Sequence, residues 1–324
     1  MADRFLRAAL AASALIAAAA FMPRNGAAAA DYPTRPVTLI VPYPPGGGVD
    51  VMARLVGQRL SAALGRQVVI ENRGGAGGMI GTRDLAKAAP DGYTLGMMLT
   101  GISLGAHTGY DVNKDFSPIG LIASTPILIV AHPSLPAKSL ADVIALAKQQ
   151  PGKLSVGTPP APTINYFAAR LFNLTAGLNI TVVTYKGTAP LTNDVLGNHV
   201  PLGFDTIPAA VSNVGAGQLR AIAVTGAVRS AALPDVPTAA ESGLPGFEAV
   251  QYYGLTAPAG VPRPIVERLN NELRRILATE DFKKRLIADG SDPAPSTPEQ
   301  YAANIKREEG KWAALVKKLG LKLE

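Results

Sequence analysis

Pro42-Tyr43-Pro44-Pro45-Gly46-Gly47-Gly48-Val49-Asp50 joins two stretches with different periodicities. Before it, residues 37–41 form a short β-branched run that reads as a strand. After it, residues 50–64 place Met52, Leu55, Val56, Leu60 and Ala63 on one helical face, and Gly65 stops the helix. Strand, glycine turn and helix start thus follow one another directly. In open α/β sheets, ligands sit beyond the carboxyl ends of strands, where helix N-termini present free N–H groups. Three glycines let the backbone approach a ligand with no side chain in the way. A carboxylate is a natural occupant of such a loop; a plain tight turn is the competing reading.

Outward from this unit the alternation continues. Residues 67–71, 94–99 and 127–131 read as strands, with a helix from the loop 74–78 to about residue 88. Ser139 with Asp142 caps a helix running to Gln150. Strands are then expected at 154–157, 181–185, 200–204 and 220–225, with helices at 164–176, 189–196 and 207–216 between them. Residues 233–247, rich in proline and glycine, read as an extended connection; a strand at 252–257 and three helices close the chain. The last helix carries one stripe of Tyr301, Ile305, Trp312, Leu315, Val316 and Leu319, with Trp312 read as a core anchor. Alternating units of this kind imply mainly parallel sheets flanked by helices, joined by right-handed crossovers. They suit two α/β lobes with a ligand cleft between them. The expected division is residues 31–131 plus 250–324 for the first lobe and 132–249 for the second.

Composition narrows the chemistry. The chain has 324 residues, enough for two domains at roughly 100–200 residues each, and no cysteine. That removes zinc–cysteine sites, iron–sulfur clusters, a thiol nucleophile and a cysteine-linked lipid anchor. The three histidines, His107, His132 and His199, show no metal-ligand spacing, so neither a metal nor any other cofactor is expected. Residues 1–30 read as a secretory leader: Arg4 and Arg7 begin it, an apolar run covers 8–21, and Ala28-x-Ala30 precedes Asp31. No later segment offers about 18 uninterrupted apolar residues, so the mature chain is expected to be soluble. Loss of Arg4, Arg7, Arg24 and Asp3 with the leader takes the net charge from +7 to +5. The one dense basic run, Lys283-Lys284-Arg285, lies on an expected helix face and is no nucleic-acid patch.

Other motifs fail on their context. The glycine loop lacks the Gly-Lys-Ser/Thr of a phosphate loop, and a dinucleotide fingerprint counted from Gly46 would need glycine at Val51. Gly101-Ile102-Ser103-Leu104-Gly105 fits a nucleophile elbow, with Asp194 and His199 later in hydrolase order. An elbow needs a helix immediately afterwards, and residues 106–115 show no helical period. A secreted serine esterase using Ser103 is therefore the alternative, and Ser103 is better read as a hydroxyl donor from a strand-end loop. No catalytic residue is assigned. Asp205, just after an expected strand and before Thr206, could accept from a ligand hydroxyl or amine, or equally cap the next helix.

At these residues the chain strongly resembles the Bug family of periplasmic solute-binding proteins, receptors of the tripartite tricarboxylate transporter type. The match runs from Tyr32 through Pro44-Pro45-Gly46-Gly47-Gly48 to Glu71-Asn72-Arg73 and Pro90-Asp91-Gly92-Tyr93-Thr94-Leu95. It continues at Pro136-Ala137-Lys138-Ser139-Leu140, Tyr185-Lys186-Gly187, Phe204-Asp205, Leu233-Pro234-Asp235-Val236-Pro237-Thr238 and Ala257-Pro258-Ala259-Gly260. The resemblance implies a two-lobed periplasmic binding protein fold of the type II kind. It also implies a monomer without catalysis that holds a small organic carboxylate, with ordered waters, between its lobes. The loop with Tyr43, Pro45, Gly46, Gly47 and Gly48 would hold the carboxylate. Thr100, Gly101 and Ser103, then Thr158, Thr163 and Asn165, then Gly187, Thr188, Asp205 and Thr206 would complete the cleft. Transporter subunits in the membrane, or a sensor ectodomain, would read the closed form.

Two departures fall on the expected pocket. Where relatives of this type carry a loop rich in glycine, serine and asparagine, this chain has Thr158-Pro159-Pro160-Ala161-Pro162-Thr163-Ile164-Asn165, with Tyr166 at the usual histidine position. The segment after Thr100 is also short, reaching Tyr110-Asp111 early. Both allow a less polar or bulkier ligand than a small dicarboxylate.

Overall fold

β1 (Val37–Val41) is buried at four of its five positions, as a strand covered on both faces must be. This is a computed structural model, and it describes residues 31–46, 48–100 and 109–321. The expected leader, Gly47 and the segment holding Gly101, Ser103 and His107 lie outside the described residues.

β1 runs parallel to β2 (Val68–Asn72) on one side and β3 (Thr94–Leu99) on the other, with Leu39 opposite both Ile70 and Leu95. β9 (Val250–Pro258) adds to β3 antiparallel. β4 (Phe116–Ala131), 16 residues long, then pairs with β9 from Phe116 to Pro126. From Ile127 onward the same strand pairs with β7 (Leu202–Thr206) and β8 (Arg220–Val224) instead. β5 (Ser155–Thr158) lies parallel between β7 and the edge strand β6 (Thr181–Thr184). A two-residue strand, β10 (Asp292–Pro293), pairs with β4 beside the change of partner. The result is two α/β halves sharing one continuous strand.

The sequence predicts mainly parallel sheets; between strands, parallel pairing is found for β1 with β2 and β3, and for β5 with β6 and β7. Every strand-to-strand pairing of β4, β8, β9 and β10 is antiparallel, apart from a single parallel bridge from Val224 of β8 to Thr238. The cause is topological: the chain leaves the first lobe on β4 and returns on β9, so the two crossing strands lie side by side in opposite directions. β4 also begins 11 residues before the expected start at Ile127. Pro118, Gly120 and Pro126 interrupt its pattern, and the register shifts between Pro118 and Gly120 and between Leu121 and Ala123. Bulges of this kind let a strand carry residues that break a regular ladder.

Helices follow the parallel strands. In the first lobe, α1 (Gly48–Leu64) follows β1, and a single 3-10 turn (Ala76–Gly78) leads from β2 into α2 (Met79–Ala86). In the second, α3 (Leu140–Gln149) carries the capping box read from Ser139 and Asp142. There α4 (Ile164–Ala176), α5 (Thr188–Leu196) and α6 (Ile207–Gly215) follow β5, β6 and β7 in turn. The chain closes with α7 (Arg263–Ala278), α8 (Glu280–Ala288) and α9 (Pro298–Leu319).

Leu39, Met97 and Leu255 of the first sheet share a core with Met52, Val56 and Leu60 of α1, Leu269 and Leu273 of α7, and Phe282 of α8. In the second lobe Ile129 and Phe204 share a core with Phe167 and Phe172 of α4. α9 belongs to both. Tyr301 near its start fills the space over Gly254, where a Cβ would lie 2.1 Å from the tyrosine ring. Trp312, two thirds of the way along, is fully buried in the second core and stacks on Phe167 with ring centroids 5.7 Å apart. Its indole N–H donates to the buried Glu308 at 3.1 Å, satisfying the polar edge of the anchor. Among the described residues no helix is long and apolar enough to cross a membrane.

Candidate functional site

The glycine loop is held by an acid one turn into the helix that follows it. Gly46, at φ 85°, donates its N–H to Asp50 Oδ2 at 2.9 Å. Arg54 Nε donates to the same oxygen at 2.9 Å, and Asn72 Nδ2 donates to Asp50 Oδ1 at 2.9 Å and to the Tyr43 carbonyl at 3.0 Å. The loop is thereby pinned to the carboxyl end of β2. The Arg54 guanidinium hydrogen-bonded to Asp50, with the Gly46 and Asn72 hydrogen bonds beside it, holds that carboxyl down at about 2. Asp50 is 3 % exposed, so its charge is fixed in place and neutralised locally.

This bracing divides the work within the loop. The Gly46 N–H is engaged by Asp50, which leaves the N–H groups of the first turn of α1, at Gly48 and Val49, without partners inside the helix. Tyr253 of β9 overhangs this turn: its hydroxyl lies 3.7 Å from where a Cβ on Gly48 would stand. The Tyr43 side chain is half-buried, within electrostatic reach of Tyr110 and Tyr253. Burial pushes the Tyr43 phenol well above its ordinary range and the Tyr253 phenol up to about 12, so both stay neutral hydrogen-bonding groups. Pro45 is exposed at the loop tip. Thr100, at the end of β3, accepts from the Tyr252 N–H at 2.9 Å and pins that strand end to β9.

The second lobe presents a matching edge. β5, β6 and β7 all point their carboxyl ends the same way, and α4, α5 and α6 start there. Thr158 is fully buried and donates to the Pro159 carbonyl at 3.1 Å. Thr163 caps α4, its hydroxyl accepting from the Tyr166 N–H at 3.3 Å. Asn165 donates to the Phe204 carbonyl at 3.0 Å, tying the start of α4 to β7. Gly187 leads into Thr188 at the start of α5.

Asp205 is fully buried beside them. Its Oδ2 lies 2.5 Å from the Thr192 hydroxyl and its Oδ1 accepts from the Thr206 N–H at 2.7 Å. Burial pushes the Asp205 carboxyl up to about 6, and the two hydrogen bonds only partly offset it. The Thr192 hydroxyl also reaches the Thr188 carbonyl at 2.9 Å. One hydroxyl proton serves only one of these acceptors at a time; a protonated Asp205 would donate to Thr192 and free it for Thr188. Both Asp205 oxygens are thus engaged within the lobe, and Thr206 stands at the N-cap of α6 without a side-chain capping bond.

Two clusters therefore form. Tyr43, Gly46 and Gly48 gather with Asp50, Asn72 and Tyr253 in one lobe; Thr158, Thr163, Asn165, Thr188, Asp205 and Thr206 gather with Thr192 in the other. The strand-end loops of the two lobes meet where Gly77 abuts Pro162. Asp50, Thr192 and Tyr253 do not stand out in the sequence. The one available signal was an acid at the first turn of α1, which reads equally as a helix-dipole residue. The remaining hydrolase elements sit elsewhere: His199 Nδ1 lies 3.4 Å from Asp194 Oδ1, both exposed, at the amino end of β7 rather than its carboxyl end.

Comparison with known proteins accords with this geometry. Residues 52–321 match the family model described as the tripartite tricarboxylate transporter family receptor. Protein BugT of Bordetella pertussis is 36% identical over 299 residues, spanning 90% of this chain and 92% of that protein. An R. palustris protein solved with adipate superposes with a TM-score of 0.81 at 36% identity, covering 89% of this chain and 98% of the other. MatC from Rhodopseudomonas palustris, solved with bound malate, gives a TM-score of 0.77 at 33% identity, covering 88% and 100%. With the family model covering most of its length and strand-end loops facing one another across two lobes, this chain belongs to the tripartite tricarboxylate transporter receptor family.

Proposed function

We propose that the protein is a periplasmic receptor that captures a small organic carboxylate between its lobes and delivers it to a tripartite transporter in the membrane. The observation that carries this reading is that helices start after the carboxyl ends of parallel strands in both lobes, with the two sets of loops touching where Gly77 meets Pro162. These helices are α1 and α2 in the first lobe and α4, α5 and α6 in the second. Helix N-termini favour anions through free N–H groups and the helix dipole. The relatives solved with adipate and malate support the ligand class. A carboxylate would take the N–H groups at the start of α1, with the neutral phenol of Tyr253 as a further donor. A ligand touching both lobes favours their closed arrangement, and the membrane partner would read that arrangement. Residues 1–30 would direct the chain to the periplasm and be removed there.

The test is a thermal-shift panel of mono- and dicarboxylates, with mass spectrometry of whatever small molecule leaves the denatured protein. A ligand at 100 times its Kd should add about 2.7 kcal/mol to folding stability, a rise of several degrees in melting temperature. A flat panel together with a non-carboxylate recovered from the protein would overturn the ligand class.

A further inference from the structure

The turn after β2 and the loop after β5 belong to different lobes, yet they touch. A Cβ built on Gly77 would lie 3.0 Å from Pro162 Cδ and 3.6 Å from Pro162 Cγ, and beyond its own turn no other described residue comes within 4 Å of it. Gly77 adopts φ 64° and ψ 19°, a left-handed conformation in which glycine is at ease. Both sides of the contact are stiff. Gly74 packs on Pro44 of the glycine loop, and Gly78 closes the turn by donating to the Gly75 carbonyl at 3.0 Å. Pro162 is buried and stands directly before Thr163, the cap of α4.

We infer that Gly77 and Pro162 form the stop at which the two lobes meet, and that the missing side chain at position 77 lets them close on a ligand. The inference rests on the reading that the ligand lies between the lobes. Outside its own turn, a side chain at 77 has Pro162 to collide with, so one that tolerates left-handed backbone would penalise chiefly the closed arrangement. Apparent affinity then falls with the fraction of molecules able to close. Pro162 comes from the proline-rich loop at residues 158–165, so the stop is set by a segment that proline stiffens.

Two experiments test it. The first is independent of ligand: the chain has no cysteine, so Gly77→Cys combined with Pro162→Cys introduces the only two thiols. A disulfide needs Cα atoms within about 7 Å. Mild oxidation should give an intramolecular cross-link between the two positions, found by peptide mass spectrometry, and adipate or malate should speed its formation. Thiols that stay reduced would overturn the stop. The second measures adipate and malate affinity by calorimetry in Gly77→Asn, Pro162→Gly and the double variant; asparagine is used because it tolerates left-handed backbone. Gly77→Asn should weaken binding at least tenfold while melting, without ligand, within a few degrees of the parent. Pro162→Gly should restore most of that loss in the double variant. Unchanged affinity in Gly77→Asn, or an equal loss in the double variant, would sink the idea. A cross-link that forms in a protein binding neither probe would keep the stop and overturn adipate and malate as its ligands instead.

Discussion

Asp50 and Asp205 each sit near the carboxyl end of a parallel strand, one in each lobe, and their surroundings push them in opposite directions. Asp50 faces Arg54, Asn72 and the Gly46 N–H, and its carboxyl is held at about 2. Its contribution is therefore present above the unfolded value near 4 and is lost as pH falls through 2. Asp50→Ala would take the acceptor from the Gly46 N–H and one of two acceptors from the Asn72 amide, a cost of about 1 kcal/mol at pH 7. Urea unfolding reads this directly; an unchanged midpoint would show that the loop does not depend on the brace. Among the described residues no cation pairs with Asp205, and burial raises its carboxyl to about 6. For an acid raised on folding the sign reverses. Stability is fully present below about pH 4 and declines as pH rises through 6, by roughly 3 kcal/mol at neutral pH. Asp205→Asn removes that ionisation while keeping an acceptor for the Thr206 N–H. Its melting temperature should gain on the parent steadily between pH 4 and 7, and parallel curves would exclude the raised carboxyl.

Among the elements, α9 shows how far pattern alone reaches. Its capping box at Thr297 and Gln300, its closing Gly320 and its apolar stripe are all local, and the helix forms as they dictate. Gly310 is the residue out of place: it is exposed in the helix interior, with nothing within 4 Å of its Cβ position. Gly310→Ala should therefore stabilise the fold by about 0.5–1 kcal/mol, measurable by denaturant unfolding. A loss instead would mean that bending at this point is needed. Strands were harder to read for a related reason. β1 and β3 are short, mainly apolar runs and visible as such, whereas the first 11 residues of β4 contain Pro118, Gly120 and Pro126 and pair with β9 through two register shifts. The site follows the same rule. The glycine loop was legible because glycine carries its meaning locally. Asn72 and Tyr253 were not, because their roles come from strands that pairing brings beside the loop.

Across the whole molecule, the lobes are joined more closely than two consecutive domains would be. β4 serves both sheets without a break, and α9 places Tyr301 in one lobe and Trp312 in the core of the other. Smaller ties flank the crossing: Thr125 Oγ1 lies 2.7 Å from Ser291 Oγ, and Gly290 packs directly against Ile207 at the start of α6. Unfolding the second lobe would strip Trp312 from Phe167 and remove the partners of β4 at once. The exposed strand and indole would then destabilise the first lobe. The expected outcome is one cooperative transition. Trp312, the only tryptophan, makes this measurable, since its fluorescence reports the second core alone while calorimetry reports the whole chain. The two transitions should coincide, with the van't Hoff enthalpy equal to the calorimetric one. A tryptophan transition several degrees below the main heat-absorption peak would show instead that the second lobe melts alone and that the shared strand does not couple the cores.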